Sequence, residues 1–378
     1  CVIALFVSAA PALVAQPVDL GSRLELMVDD YLIASISGGA RLILHPPTPH
    51  EVVIVHDEPW EGNSCGYYCV FQDGDIYRMY YRGSSQTLKD EPPLPDMTTC
   101  YAESRDGIRW EKPKLGLFDF HGSKDNNIIW MGNTSHDFTP VRDENPACPP
   151  EGKYKCVASG EGGLVAFQSP DGLHWSPLND GKPIITQGAF DSQNMAFWDP
   201  LRGEYRCYFR DFRDGLRDIR TATSKDFIHW TDSVWLEYPG APKEQLYTNQ
   251  IIPYYRAPHI FLGFPTRYVD RGWCPSVEAL PELEHRRKRF EDSEREGTAV
   301  TDGLFMSSRD GQTFRRWGEA FIRPGLRMKD NWAYGDNYQN WGIVETQSEV
   351  DDGIKELSLY ATESYWTGTS SQLRRFTL

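Results

Sequence analysis

The sequence predicts an all-β protein, a five-bladed β-propeller. Three observations predict it: a hairpin motif recurs four times, an aromatic strand precedes each copy, and helical patterning is nearly absent. The motif reads Ser104-Arg-Asp106-Gly107-Ile-Arg-Trp110, Ser169-Pro-Asp171-Gly172-Leu-His-Trp175, Ser224-Lys-Asp226-Phe227-Ile-His-Trp230 and Ser308-Arg-Asp310-Gly311-Gln-Thr-Phe314. The strand reads Tyr77-Arg-Met-Tyr-Tyr-Arg82, Tyr154-Lys-Cys-Val-Ala-Ser159, Tyr205-Arg-Cys-Tyr-Phe-Arg210 and Ile260-Phe-Leu-Gly-Phe-Pro265, with a fifth version at Leu357-Ser-Leu-Tyr-Ala-Thr-Glu363. Asp-Gly favours positive φ and closes a tight hairpin. The Ser and Asp side chains accept bonds from local backbone N–H groups and fix that turn. Each unit is a small antiparallel sheet that cannot bury both faces alone, and radial stacking of such sheets removes the problem.

Along the chain, residues 1–16 (CVIALFVSAAPALVAQ) carry no charge and end on small residues before Gln16. They read as the apolar part of a secretory signal whose basic start is missing, or alternatively as a buried apolar strand. They are too short to span a bilayer. This predicts a secreted or periplasmic protein, a fragment at its N-terminus, with the propeller over 17–378. The segment Met27 to Ile54 is expected to supply closing strands to the last blade. The serines of the motif are spaced by 65, 55 and 84 residues. The long interval holds Pro281 to Gly297, with 6 acids and 5 bases, and predicts a rim insertion at about 270–300. Its Arg286-Arg-Lys-Arg289 run reads as a solvated helix face. The ending at Arg374-Arg-Phe-Thr-Leu378 reads as a strand cut short.

Composition narrows the function. With 39 Lys+Arg against 54 Asp+Glu the net charge is −15, and no basic stripe is present, which argues against nucleic acid and anionic membranes as partners. Eight cysteines without a CxxC pair read as small core residues, Cys156 and Cys207 at matched strand positions among them. No zinc-protease, serine-hydrolase or phosphate-loop motif is present. No cofactor is called for. The acids are compatible with a structural calcium, although no ligand loop is legible. His174 and His229 fall inside the hairpin motif and read as packing residues. Arg82 and Arg210 recur at one strand position, as a structural ion pair between blades would.

The hairpins with their Tyr-rich strands resemble the five-bladed propellers of glycoside hydrolase families 32, 43 and related clans, over about residues 50–370. The nearer likeness is to uncharacterised exported bacterial proteins of the family 32 type. The hairpin is one residue shorter than the sialidase Asp-box, Ser-x-Asp-x-Gly-x-x-Trp. The resemblance implies a carbohydrate substrate and three carboxylates, from the inner strands of the first three blades, that cleave a glycosidic bond. On the matching positions these are Glu61, Asp143 and Asp191. Glu61 lies between Trp60 and Gly62, as a funnel-mouth acid beside a stacking ring. Asp143 keeps half of the family's Arg-Asp-Pro motif, and its Asp-Glu-Asn-Pro setting equally suits a turn cap. Asp191 has no turn logic around it, and Asn194 follows as a hydroxyl binder. Tyr247, Asn249 and Asp336 complete the pocket, with Trp60 and Tyr334 as stacking platforms. Arg267 would reach a substrate carboxylate or phosphate. The family's first-blade Asn-Asp-Pro-Asn motif is absent, which argues against sucrose or fructan. The competing readings are a non-catalytic carbohydrate-binding propeller, and a phosphorylase or lyase on the same scaffold.

Overall fold

A computed structural model describes residues 17–88, 97–351 and 353–378, so the apolar opening lies outside the described residues. Residues 17–43 form a compact unit of turns, with no strand or helix. The described sheets lie in 44–378.

The chain is predominantly β. Its first large antiparallel sheet runs through Gly66–Asp73, Ile76–Gly83, Thr98–Ser104 and Trp110–Glu111, with Ile128–Met131 added to the third strand. The second takes Thr139–Arg142, Tyr154–Gly160, Gly163–Ser169 and Ser176–Pro177. The third takes Met195–Asp199, Glu204–Arg213, Leu216–Ser224 and Val234–Trp235. The fourth takes Ile252–Tyr254, Ala257–Gly263, Met306–Ser308 and Phe314–Arg316. The fifth takes Val344–Gln347, Lys355–Glu363 and Gln372–Thr377, and is completed by Thr48–Val55 from the other end of the chain. That closing strand occupies only the last part of the segment expected to supply it. The aromatic strands are the second strands, and they are aromatic because both faces are covered. In Ile76–Gly83, Tyr77, Met79 and Tyr81 enter one core cluster and Tyr80 enters another.

Side chains join the first strands of these sheets into a closed series. Thr139 donates to the Asn194 carbonyl (2.7 Å), Asn249 to the Gln193 carbonyl (3.1 Å), and the Trp341 indole to the Ile251 carbonyl (2.8 Å). The fifth and first sheets meet through Trp341 N–H to Tyr68 O (2.8 Å) and Val70 N–H to Trp341 O (2.9 Å). Arg142 reaches Asp73 from the second sheet to the first (3.2 Å). A buried belt of amides reinforces the series, with Gln250 donating to both Gln193 and the Gln339 carbonyl.

The recurring hairpin holds its own turn and ties neighbouring sheets. Ser104 Oγ accepts the N–H groups of Asp106 and Gly107, and Asp106 Oδ1 accepts those of Ile108 and Arg109. The same pattern holds around Ser169, Ser224 and Ser308. Three of the turns dock on the preceding sheet. Tyr360 of the fifth sheet donates to Gly107 O (2.5 Å), Arg78 of the first to Asp171 O (2.9 Å), and Tyr208 of the third to Gly311 O (2.7 Å). Phe227 stands where the other copies have Gly, at φ 70, and buries its ring against Tyr205 and Trp230. His174 and His229 are exposed, not packed, because their rings turn outward to the motif carboxylates of Asp171 and Asp226, each at 2.7 Å.

The interval at 270–300 holds the helices Pro275–Glu278, Leu283–Asp292 and Glu294–Thr298, and is flanked by the paired strands Thr266–Val269 and Val300–Gly303 of a three-stranded sheet. The basic run there is not uniformly solvated. Arg286 and Arg289, one helical turn apart, are buried, and Arg287 and Lys288 face out. Arg286 donates to the carbonyls of Asn331 and Trp332 (both 2.8 Å), and Arg289 to those of Tyr334, Tyr365 and Trp366. The helix is pinned by guanidinium–carbonyl bonds, which an apolar stripe alone does not predict. The seven described cysteines are free, with Cys156 and Cys207 in the core.

Candidate functional site

The N-terminal ends of the inner strands, with the loops leading into them, meet at one mouth of the series. Tyr67 lies against His136 (ring centroids 5.5 Å apart) and Tyr338 (6.4 Å). Tyr338 lies against Tyr247 (5.3 Å), and Tyr247 against Tyr268 and Tyr334 (6.2 and 5.9 Å). Tyr334 donates to the Tyr247 hydroxyl (2.8 Å). Tyr67, Gln250 and Asn337 hold left-handed backbone here, at φ 59, 45 and 60. That conformation costs a non-glycine residue about 1–2 kcal/mol, and such strain gathers at functional sites. The buried Tyr338 hydroxyl has no hydrogen-bond partner among the described residues.

Charge at the mouth is mostly positive. The Arg82 guanidinium stands 4.6 Å from the Tyr67 ring, Arg210 and Arg217 stand 5.2 and 5.3 Å from the Tyr247 ring, and Arg295 stands 5.1 Å from the Tyr334 ring. The acid that reaches solvent among them is Asp191, whose side chain is 69% exposed. It meets His136 Nε2 at 3.3 Å and Arg210 at 3.5 Å. Burial first, and then the charge of Arg82, holds the His136 imidazole down to about 4, so it is neutral at physiological pH. Behind Asp191 sits Asp137, which accepts Ser159 N–H (2.8 Å), Ser159 O–H (2.5 Å) and Asn194 Nδ2 (2.6 Å). Burial pushes its carboxyl up to about 7 against those donors.

The residues predicted from the sequence fall into two groups. Asp191, Tyr247 and Tyr334 line the mouth, and Asn194 supports it by holding Asp137. Asp336 lies behind it with 2% exposure, accepting Tyr365 N–H, and burial pushes its carboxyl up to about 8. Asn249 is buried in the inter-sheet belt. Glu61 and Asp143 do not join Asp191. Glu61 is wholly covered, bonded by Lys112 (2.7 Å), Tyr81 (2.5 Å) and Glu58 N–H (3.1 Å). Asp143 lies at the far end of its strand, beyond Thr139–Arg142, whose four residues alone span roughly 13 Å at 3.3 Å per residue. There it caps Asn145 N–H and pairs with Lys155 (3.0 Å) and Tyr205 (2.7 Å). Trp60 bonds Asn127 and lines a separate cavity of about 570 Å³ with Phe120. Arg267 is held by Asp302 (2.6 Å) and Glu244 (2.7 Å).

Sequence reasoning missed His136, Asp137, Tyr67 and the arginines. The repeat phase carried a usable signal. Arg82 and Arg210 lie in the second strands of the first and third sheets, next to the N-terminal ends of the inner strands. Their recurrence predicts an ion pair between sheets for each; Arg82 has no carboxylate partner among the described residues, and Arg210 has only Asp191.

The fold is shared with solved carbohydrate-active proteins. An N-acetylgalactosamine deacetylase from F. plautii, solved with blood group B trisaccharide, aligns with a TM-score of 0.53 and 11% identity over 88% of this chain and 94% of that one. BT0996, solved as an RGII complex, aligns at 0.50 and 14% identity over 88% and 92%. A glycoside hydrolase aligns at 0.49, with 13% identity over the same shares. No family model matches the chain. Two uncharacterised Mycobacterium tuberculosis proteins, from strains CDC 1551 and H37Rv, are 29% identical over 154 residues, 39% of this chain. The match spans 42% of their length.

Proposed function

We propose that the chain is a carbohydrate-active enzyme on a five-bladed β-propeller, cleaving a glycosidic bond at the tyrosine-ringed mouth with Asp191 as the working carboxylate. The observation that carries the reading is the placement of Asp191: its side chain reaches solvent beside the buried tyrosine cluster, where His136 and Arg210 orient it. Asp137, held by Asn194, is the second acid of the site and supports the first from behind. Glu61 and Asp143 belong in this reading to folding, since each is covered and ion-paired away from the tyrosines. The apolar residues 1–16 support export. The test is Asp191→Asn. Loss of turnover on oligosaccharides with an unchanged melting temperature supports the reading, and full activity removes it.

A further inference from the structure

The mouth holds more positive charge than its protein groups use. Arg82 is 7% exposed; it donates to the Ser64 carbonyl (3.0 Å) and lies near the Tyr365 hydroxyl, and its Nε has no partner among the described residues. Arg217 bonds the Gln245 side chain (2.6 Å), and its Nε is likewise unpartnered. Neither has a carboxylate within ion-pair distance among the described residues. Arg210 donates Nε to the Ala189 carbonyl (3.0 Å), and its one carboxylate among the described residues is Asp191 at 3.5 Å; that of Arg295 is Glu296 at 3.9 Å. Outside the mouth, Arg267 is matched by two carboxylates and Arg375 by Glu51 and Glu349, while Arg286 and Arg289 take sets of backbone carbonyls instead. An unpaired buried cation costs several kcal/mol, and four poorly matched guanidiniums around a strained, tyrosine-lined opening are not explained by packing.

We propose that Arg82 and Arg210, flanked by Arg217, form an oxyanion subsite, filled by an acidic group on the carbohydrate or by inorganic phosphate bound beside it. The planar guanidinium donates in pairs to carboxylate, sulfate and phosphate oxygens alike. The shared ring geometry supports one pocket rather than three separate cations, because Arg210 and Arg217 flank the same Tyr247 ring. The charges of Arg82 and Arg210 also act together on His136. The net charge of −15 makes the local reversal of sign a selective feature, since most of the surface repels such a ligand.

The subsite rests on the reading of the mouth as the carbohydrate site, and titration calorimetry separates the two. Sodium phosphate, glucuronate and glucose are titrated into the wild-type chain, R210Q, R217Q and, as a charge control, R109Q, whose side chain is 89% exposed on a hairpin far from the tyrosines. The expected result is binding of phosphate, glucuronate or both, weakened tenfold or more in R210Q and R217Q, unchanged in R109Q, and weakened by added salt. Phosphate alone identifies a free anion, and glucuronate alone identifies an acidic carbohydrate. No anion binding, or binding indifferent to both R210Q and R217Q, overturns the subsite. Turnover of neutral glycosides by a wild-type chain that binds no anion also overturns it, and leaves the Asp191 reading standing. Anion binding by a chain that alters no carbohydrate upholds the subsite while the Asp191 reading fails.

Discussion

Acid should loosen the seam where the two ends of the described sheets meet, and His56 sets the size of the effect. It follows the closing strand Thr48–Val55, and its backbone N–H and Nδ1 both bond the Ser371 carbonyl, at 3.0 and 2.9 Å. Nε2 faces the Tyr68 hydroxyl at 3.2 Å. The neutral ring is therefore satisfied on both sides, and burial drives its basicity down to about 3 from an ordinary 6.5. A folded value below the unfolded one stabilises the native state above about pH 6.5, and the contribution is lost as pH falls toward 3. At about 1.4 kcal/mol per pH unit, two units below 6.5 remove about 3 kcal/mol. His56→Asn keeps a donor for Ser371 and cannot take the proton. Urea melts followed by tryptophan fluorescence at pH 7.5 and 4.5 measure both proteins. The wild type should lose about 3 kcal/mol more than H56N over that interval. Equal losses would refute the latch, since every other titrating group is common to both chains.

Three further outcomes follow from the geometry. Glu61→Gln leaves Lys112 buried without its main partner and should cost about 3 kcal/mol in a urea melt, whereas D191N, on an exposed side chain, should change stability by less than about 0.5 kcal/mol. Tyr208→Phe removes the bond to the Gly311 carbonyl between the third and fourth sheets and should cost about 1 kcal/mol by thermal melt. Gly172→Ala should destabilise more than Gly203→Ala: both sites have positive φ, but the added methyl at 172 meets the Tyr80 hydroxyl at 2.5 Å and at 203 meets nothing. Equal melting temperatures for the two alanine variants would show that the turn does not press on its neighbour.

The fold was legible because it repeats. Four Ser-x-Asp hairpins and five aromatic strands announce antiparallel sheets with both faces covered, and the bonds of Ser104 and Asp106 are those the residue types dictate. The site was legible only in part. Asp191 and Tyr247, which belong to the proposed site, each stand a few residues before an inner strand, and Tyr334 packs on Tyr247. Glu61 and Asp143 shared that neighbourhood in sequence, but Asp143 lies past the opposite end of a four-residue strand, and Glu61, before Gly66–Asp73, is covered by Lys112 and Tyr81. Asp137 and Asp143 bracket Thr139–Arg142 and face opposite ends. Long side chains were hardest to place. Arg289 read as a solvated charge and Arg82 as half of an ion pair, yet both are buried and bonded to carbonyls contributed from elsewhere in the chain.

The most direct test is turnover by wild type and D191N across a panel of neutral and acidic oligosaccharides, read as reducing-sugar release with melting curves recorded in parallel. The account predicts that the wild type cleaves at least one member and that D191N is slower by about 10²–10⁴-fold with an unchanged melt. A wild-type chain that cleaves none of them, or a D191N chain that keeps the full rate, contradicts it.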